Sequence, residues 1–201
     1  MSGFESFELK KGGSKYPQVP PVGAYAAVIK NAHIVEPESV GKYRRLEMMI
    51  DITEGEFKNR YTEMYNDQKE RFGSAYYKGL YSLKMPTEGM SDNDKKREWI
   101  GKQLYWVFES NLKEGDVPVD RWDGDPKSLI GKKVGILVNK KLYTGNDGED
   151  KEKLYIYRFI GLKDLASGNY KLPEPWDTRA MPSVPKDEPT FTEVESVDVP
   201  W

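Results

Sequence analysis

From Gly23 onward the spacing of apolar residues switches several times between a period near two and a period near 3.6. Ala24 to Ala32 is a β-compatible apolar segment. Tyr43 to Ile52 alternates, with Leu46, Met48, Ile50 and Ile52 on one face and Arg45, Glu47, Met49 and Asp51 on the other, which predicts a half-buried strand. After a turn at Thr53-Glu54-Gly55, Phe57 to Tyr65 sets Tyr61, Glu63 and Tyr65 against Arg60, Thr62 and Met64 and predicts a third strand. Ala75 to Leu83 is rich in tyrosine but interrupted by glycine, and is read as a short helix with loops. The run Lys95 to Leu112 places Ile100, Leu104, Val107 and Phe108 at helical spacing, behind an N-cap candidate at Ser91 with Asp94 three residues on. Finally, Val134, Ile136 and Val138 alternate within Lys132 to Tyr143. The turn signal Gly145-Asn146-Asp147-Gly148 and a returning strand at Leu154 to Leu162 complete a hairpin.

Proline and glycine divide the chain around these elements. Residues 1–22 read as a flexible lead-in, residues 23–172 as one domain with a helical insertion over about 75–130, and residues 173–201 as a proline-rich tail. The tail has too few large aliphatics to offset the entropy of ordering it, which predicts disorder. The order β-β-β-α-β-β is that of an OB-fold-like five-stranded barrel, so the expected class is mainly β with a helical insertion.

Composition changes the picture in two ways. The 201 residues include no cysteine and one histidine, His33, which removes disulfides, thiolate metal sites and a cysteine nucleophile, together with most histidine-based acid–base schemes. The net charge of -2 conceals a split. Residues 1–186 hold 31 basic and 28 acidic side chains, a balance of +3, whereas residues 187–201 hold five acids and no base, a balance of -5. A mildly basic body carrying an acidic tail is a pattern found among nucleic-acid binders. No run of about 18 apolar residues occurs and the first 15 residues lack a secretory pattern, so a cytoplasmic protein with no membrane partner is expected.

Single-strand binders need cations for phosphates and aromatic faces for bases. Candidates on the expected second strand are Tyr43, Arg44 and Arg45; those on the expected third are Lys58, Arg60, Tyr61 and Tyr65. The hairpin contributes Lys140, Lys141, Tyr143, Lys151, Lys153, Tyr155, Tyr157 and Arg158. Alternating Tyr and Lys also describes an ordinary half-solvated sheet, so each tyrosine has a packing role as its alternative.

The chain closes on Glu193-Val194-Glu195-Ser196-Val197-Asp198-Val199-Pro200-Trp201, an acidic stretch ending in an aliphatic, a proline and an aromatic. Such a segment suits docking: Trp201 fills an apolar pocket while Glu193, Glu195 and Asp198 meet a basic surface, with Val199 and Pro200 shaping the tip. It resembles the C-terminal tip of bacterial single-stranded DNA-binding proteins, with Val for Ile and Trp for Phe. The body segments Gly23-Ala24-Tyr25, Asp51-Ile52-Thr53-Glu54-Gly55-Glu56-Phe57, Leu129-Ile130-Gly131-Lys132-Lys133-Val134-Gly135, Asn146-Asp147-Gly148 and Ser167-Gly168-Asn169-Tyr170-Lys171-Leu172-Pro173 resemble proteins of phage and prophage replication and recombination modules in low-GC Gram-positive bacteria. The resemblance implies a phage-type, OB-like single-stranded DNA-binding protein whose tip recruits replication or recombination proteins. It assigns no individual binding residue.

Catalytic patterns are sparse. Gly131-Lys132-Lys133 lacks the glycine spacing and hydroxyl residue of a phosphate loop. Asp51, Glu54 and Glu56 lie within six positions around one turn, closer than carboxylates that share a metal on separate strands. The expected protein is therefore a binder with no cofactor, no metal site and no catalytic constellation. Its alternatives are an OB-like protein–protein adaptor and, third, a metal-dependent nuclease using Asp51 or Glu56. A homo-oligomer remains compatible with the sequence, although no heptad repeat is present.

Overall fold

The computed structural model describes residues 18–37, 39, 42–117 and 119–179. It is mainly β. The elements run β1 (Gly23–Val35), β2 (Arg45–Ile52), α1 (Arg60–Phe72), β3 (Leu80–Lys84), α2 (Asn93–Glu109), β4 (Lys133–Thr144), β5 (Asp150–Ile160), α3 (Leu162–Ser167) and β6 (Trp176–Asp177). Five strands form an antiparallel sheet in the order β3-β2-β1-β4-β5, and β6 adds to β4 in parallel.

Period-two alternation builds the core as expected. Ile29, Met48, Ile50, Val134, Ile136 and Phe159 point to one side of the sheet and are fully buried. Helix α2 places Ile100, Leu104 and Val107 on that side at helical spacing. Its buried Gln103 links the two edge strands: Gln103 Oε1 accepts the Tyr81 hydroxyl of β3 at 3.0 Å and the Phe159 amide of β5 at 2.8 Å. The Tyr81 and Phe159 rings stand 4.7 Å apart, and burial raises the Tyr81 pKa above that of a free phenol.

Two expected elements exchange identity. Phe57 to Tyr65 is no strand: its second half opens α1, and the third strand is β3, within the segment read as a short helix. The pattern over 57–65 serves both periods, because Tyr61 and Met64, the buried residues of α1, are three apart. Tertiary contacts decide between them. Asp51, 1% exposed on β2, accepts the Tyr61 amide at 3.1 Å and the Thr62 amide at 3.0 Å, supplying acceptors to a helix start whose own preceding residue, Asn59, makes no side-chain cap. Asn59 itself sits at φ 56°, a left-handed turn that Asn tolerates.

Gly79 leads into β3 where the chain passes between β2 and α1. A Cβ there would lie 2.2 Å from the Ile50 carbonyl oxygen and 2.8 Å from the Tyr61 ring. Gly79→Ala is expected to cost about 1–3 kcal/mol through forced displacement of backbone, read as a lower urea midpoint at unchanged m-value. A midpoint equal to that of the unsubstituted protein would show that β3 gives way without cost.

The ordered body also extends past both expected limits. Val19, within the expected lead-in, packs against the core. Residues 173–179, expected to begin the tail, lie along β4: Trp176 and Asp177 pair with Lys141 and Leu142, and Thr178 donates from its amide and its hydroxyl to the Leu142 carbonyl, each at 2.9 Å. Edge hydrogen bonds and one large ring compensate for the sparse aliphatics. Residues 180–201, with the expected tip at Glu193, Glu195, Asp198, Val199, Pro200 and Trp201, lie outside the described residues. No helix among the described residues is long and apolar enough to cross a membrane.

Candidate nucleic-acid interface

The candidate residues separate into two groups. Those before β3 are dispersed and largely engaged. Tyr43 is clasped between β2 and α2: its hydroxyl lies 3.3 Å from Asp92, and Lys96 Nζ stands 3.8 Å from its ring centroid while also pairing with Asp92. The Asp92 carboxyl is held below its ordinary pKa, chiefly by its hydrogen bond to Lys96. Arg44 pairs with Glu36 at 2.7 Å, and Arg45 with the buried Glu47 at 3.0 Å. Arg60 stands over Phe57 and pairs with Glu63 at 3.5 Å. Tyr61 is a core residue, 1% exposed, with its pKa pushed up first by burial. Tyr65 leans on Tyr77, their centroids 6.0 Å apart, with Lys69 over its ring. Lys58 is exposed in the turn. These side chains make no continuous surface, because the expected third strand that was to align them is a helix.

The hairpin does make one, and its register explains how. Asn139 pairs with Tyr155, Lys141 with Lys153, and Tyr143 with Lys151, so these six residues occupy one face. The opposite face carries Lys140, Leu142, Thr144, Asp150, Glu152 and Leu154. The strand acids thus lie on one side, where Lys140 meets Glu152 at 3.3 Å, and the aromatics and most lysines lie on the other. Between Leu137 and Val138 the register slips, leaving Tyr157 as the extra residue of a bulge on β5. Arg158 then stands 5.7 Å from the Tyr157 ring centroid.

The basic face contains a like-charge cross-strand pair, Lys141 opposite Lys153, an arrangement that disfavours the isolated hairpin. The Lys153 ammonium is held below its ordinary pKa by partial desolvation and then by Lys78 and Lys141. Lys78 precedes β3, so cations from two distant parts of the chain converge here. Lys151 is turned toward Asp147 of the loop.

Residues absent from the sequence reading complete the site. Trp176 lies beside β4 with Lys141 Nζ 4.4 Å from its ring centroid. Asn139 donates through Nδ2 to the Glu174 carbonyl at 3.1 Å. Arg179 ties the strap down, pairing with Asp177 at 2.6 Å and Asp150 at 3.1 Å. The Arg179 hydrogen bond holds the Asp177 carboxyl down at about 2. The one sequence signal for this strap was a tryptophan directly after Pro-Glu-Pro, in a segment otherwise polar enough to read as tail.

The acidic group read as a remote metal site has another role. Asp51 gives both carboxylate oxygens to backbone amides, and Glu54 and Glu56 are exposed in the turn. Among the described residues no three His, Asp or Glu side chains are grouped to hold a metal ion. Comparison of the chain with protein-family models and with curated proteins finds no match.

Proposed function

We propose that this chain is a sequence-independent single-stranded DNA-binding protein, of the kind encoded in phage replication and recombination modules, with the outer face of the β4–β5 hairpin as its main contact surface. The carrying observation is the cross-strand register that gathers Lys141, Lys151, Lys153, Tyr143 and Tyr155 on one face and puts Asp150 and Glu152 on the other. Such a face offers what an unpaired strand presents: phosphates for the ammonium groups and base faces for the phenol rings.

An OB-like barrel is the architecture that supports this reading. The strand order β3-β2-β1-β4-β5, the helix between β3 and β4, and Gln103 bridging the two edge strands support this reading. The hairpin after the fourth strand is one of the two loops through which OB-folds hold oligonucleotides. In this reading the acidic segment ending at Trp201 recruits replication or recombination proteins, and the protein works in the cytoplasm of the bacterial host.

The test is a titration of labelled oligo-dT of about 30 nucleotides, longer than the ~16 nucleotides that one OB-fold covers at most. The affinity is expected to fall linearly in log–log form between about 50 and 200 mM salt, and to be indifferent to base sequence. A folded protein that leaves the oligonucleotide unbound at the low-salt end overturns the proposal.

A further inference from the structure

We propose that the cleft between β5 and the strap 173–176 seats a single nucleobase of the bound strand. The inference rests on the single-strand-binding reading and adds to it a defined subsite away from the hairpin tip.

The cleft has a volume of about 450 Å³ and is lined by Asn139, Tyr155, Tyr157, Pro173, Pro175 and Trp176, together with Glu174. Its walls are aromatic. Tyr155 and Tyr157 stand edge to face, their centroids 6.5 Å apart, and Trp176 remains about half exposed although it is paired to β4. Pro173 and Pro175 have fixed backbone φ angles, and the strap is tied on its far side by Thr178 to Leu142 and by Arg179 to Asp150. The walls therefore stand ready without a ligand, and a planar group entering between them loses little in ordering the protein.

Two features suit the cleft to a base. Lys141 Nζ stands 4.4 Å from the ring centroid of Trp176, one wall of the cleft; Lys153 lies opposite Lys141 on β5, and Lys78 is close enough to act on Lys153. An aromatic slot beside convergent ammonium groups matches a base attached to its phosphodiester. The second feature is Asn139, 1% exposed at the floor of the cleft. Its Nδ2 donates to the Glu174 carbonyl at 3.1 Å, and its amide is also hydrogen-bonded with Tyr155, so the floor is tied both to the proline-bearing wall and to an aromatic one and keeps the slot at the width of one planar ring.

The decisive experiment labels the full-length protein with 5-fluorotryptophan and follows the 19F resonances as oligo-dT is added. The resonance that disappears in Trp176→Phe identifies residue 176. Seating of a base shifts it, and Trp176→Ala binds roughly 5- to 150-fold more weakly, the range expected for one lost stack, with an unchanged salt slope because no phosphate contact is removed. Trp176→Phe keeps a stacking ring and most of the affinity. Retained binding with a stationary Trp176 resonance and an unweakened Trp176→Ala overturns the base site alone, even where the alanine variant is less stable. Failure of the unsubstituted protein to bind oligo-dT overturns the broader reading instead.

Discussion

Asp51→Ala is expected to remove about 3–5 kcal/mol of folding stability, a large share of the 5–15 kcal/mol that holds a typical domain together. The Asp51 carboxylate accepts from three backbone amides, those of Ile52 at 2.9 Å, Tyr61 at 3.1 Å and Thr62 at 3.0 Å. Each stranded buried donor costs about 1–3 kcal/mol, and alanine strands all three together. The loss also spreads, because releasing the start of α1 loosens Tyr61, which packs against Gly79 at the entry to β3. Asp51→Asn keeps a carbonyl acceptor and should lose roughly half as much. Urea unfolding of the two variants beside the unsubstituted protein gives the comparison. A loss below about 1 kcal/mol for alanine would mean that water or a shifted loop takes over the amides.

Changing Lys141 and Lys153 together to glutamine should weaken DNA binding strongly and alter its salt dependence. For single strands each neutralised phosphate contributes about 0.7 to the slope of log affinity against log salt, so the double variant should lose about 1.4 from that slope. Near 50 mM salt the same counterion release corresponds to roughly 100-fold weaker binding, shrinking as salt is raised. Arg44 and Arg45 lie away from the hairpin, paired with Glu36 and Glu47, and Arg44→Gln should leave the slope where it was. If instead the arginine variant carries the loss and the lysine variant does not, the contact surface lies on β1 and β2.

Much of the fold could be read along the chain. The alternation of Leu46, Met48, Ile50 and Ile52, the helical spacing of Ile100, Leu104 and Val107, and the turn Gly145-Asn146-Asp147-Gly148 each appear where they were expected. These are local signals, and each holds because one buried face must recur at the period of its own backbone. The candidate interface was half legible on the same terms. Alternation along Lys140 to Tyr143 and Lys151 to Arg158 exposed the mixture of lysine and tyrosine, but not which face each side chain takes across the pair.

What sequence alone determined about this protein is therefore its period-coded part: four strands, one long helix, an apolar core and a basic, aromatic last hairpin. Only the tertiary structure decided the rest. The 57–65 segment fits both periods, and it became a helix because Asp51, six residues before it on another element, supplies the acceptors its first turn needs. Leu80–Lys84 became the third strand because glycine at position 79 lets the backbone come close enough to bond Ile50. Residues 173–179 joined the body because β4 extends beyond β1 and leaves an edge to pair with. In each case the deciding partner is distant in sequence or carries no periodic signature, and spacing along a chain reports only the neighbours a residue has on its own element.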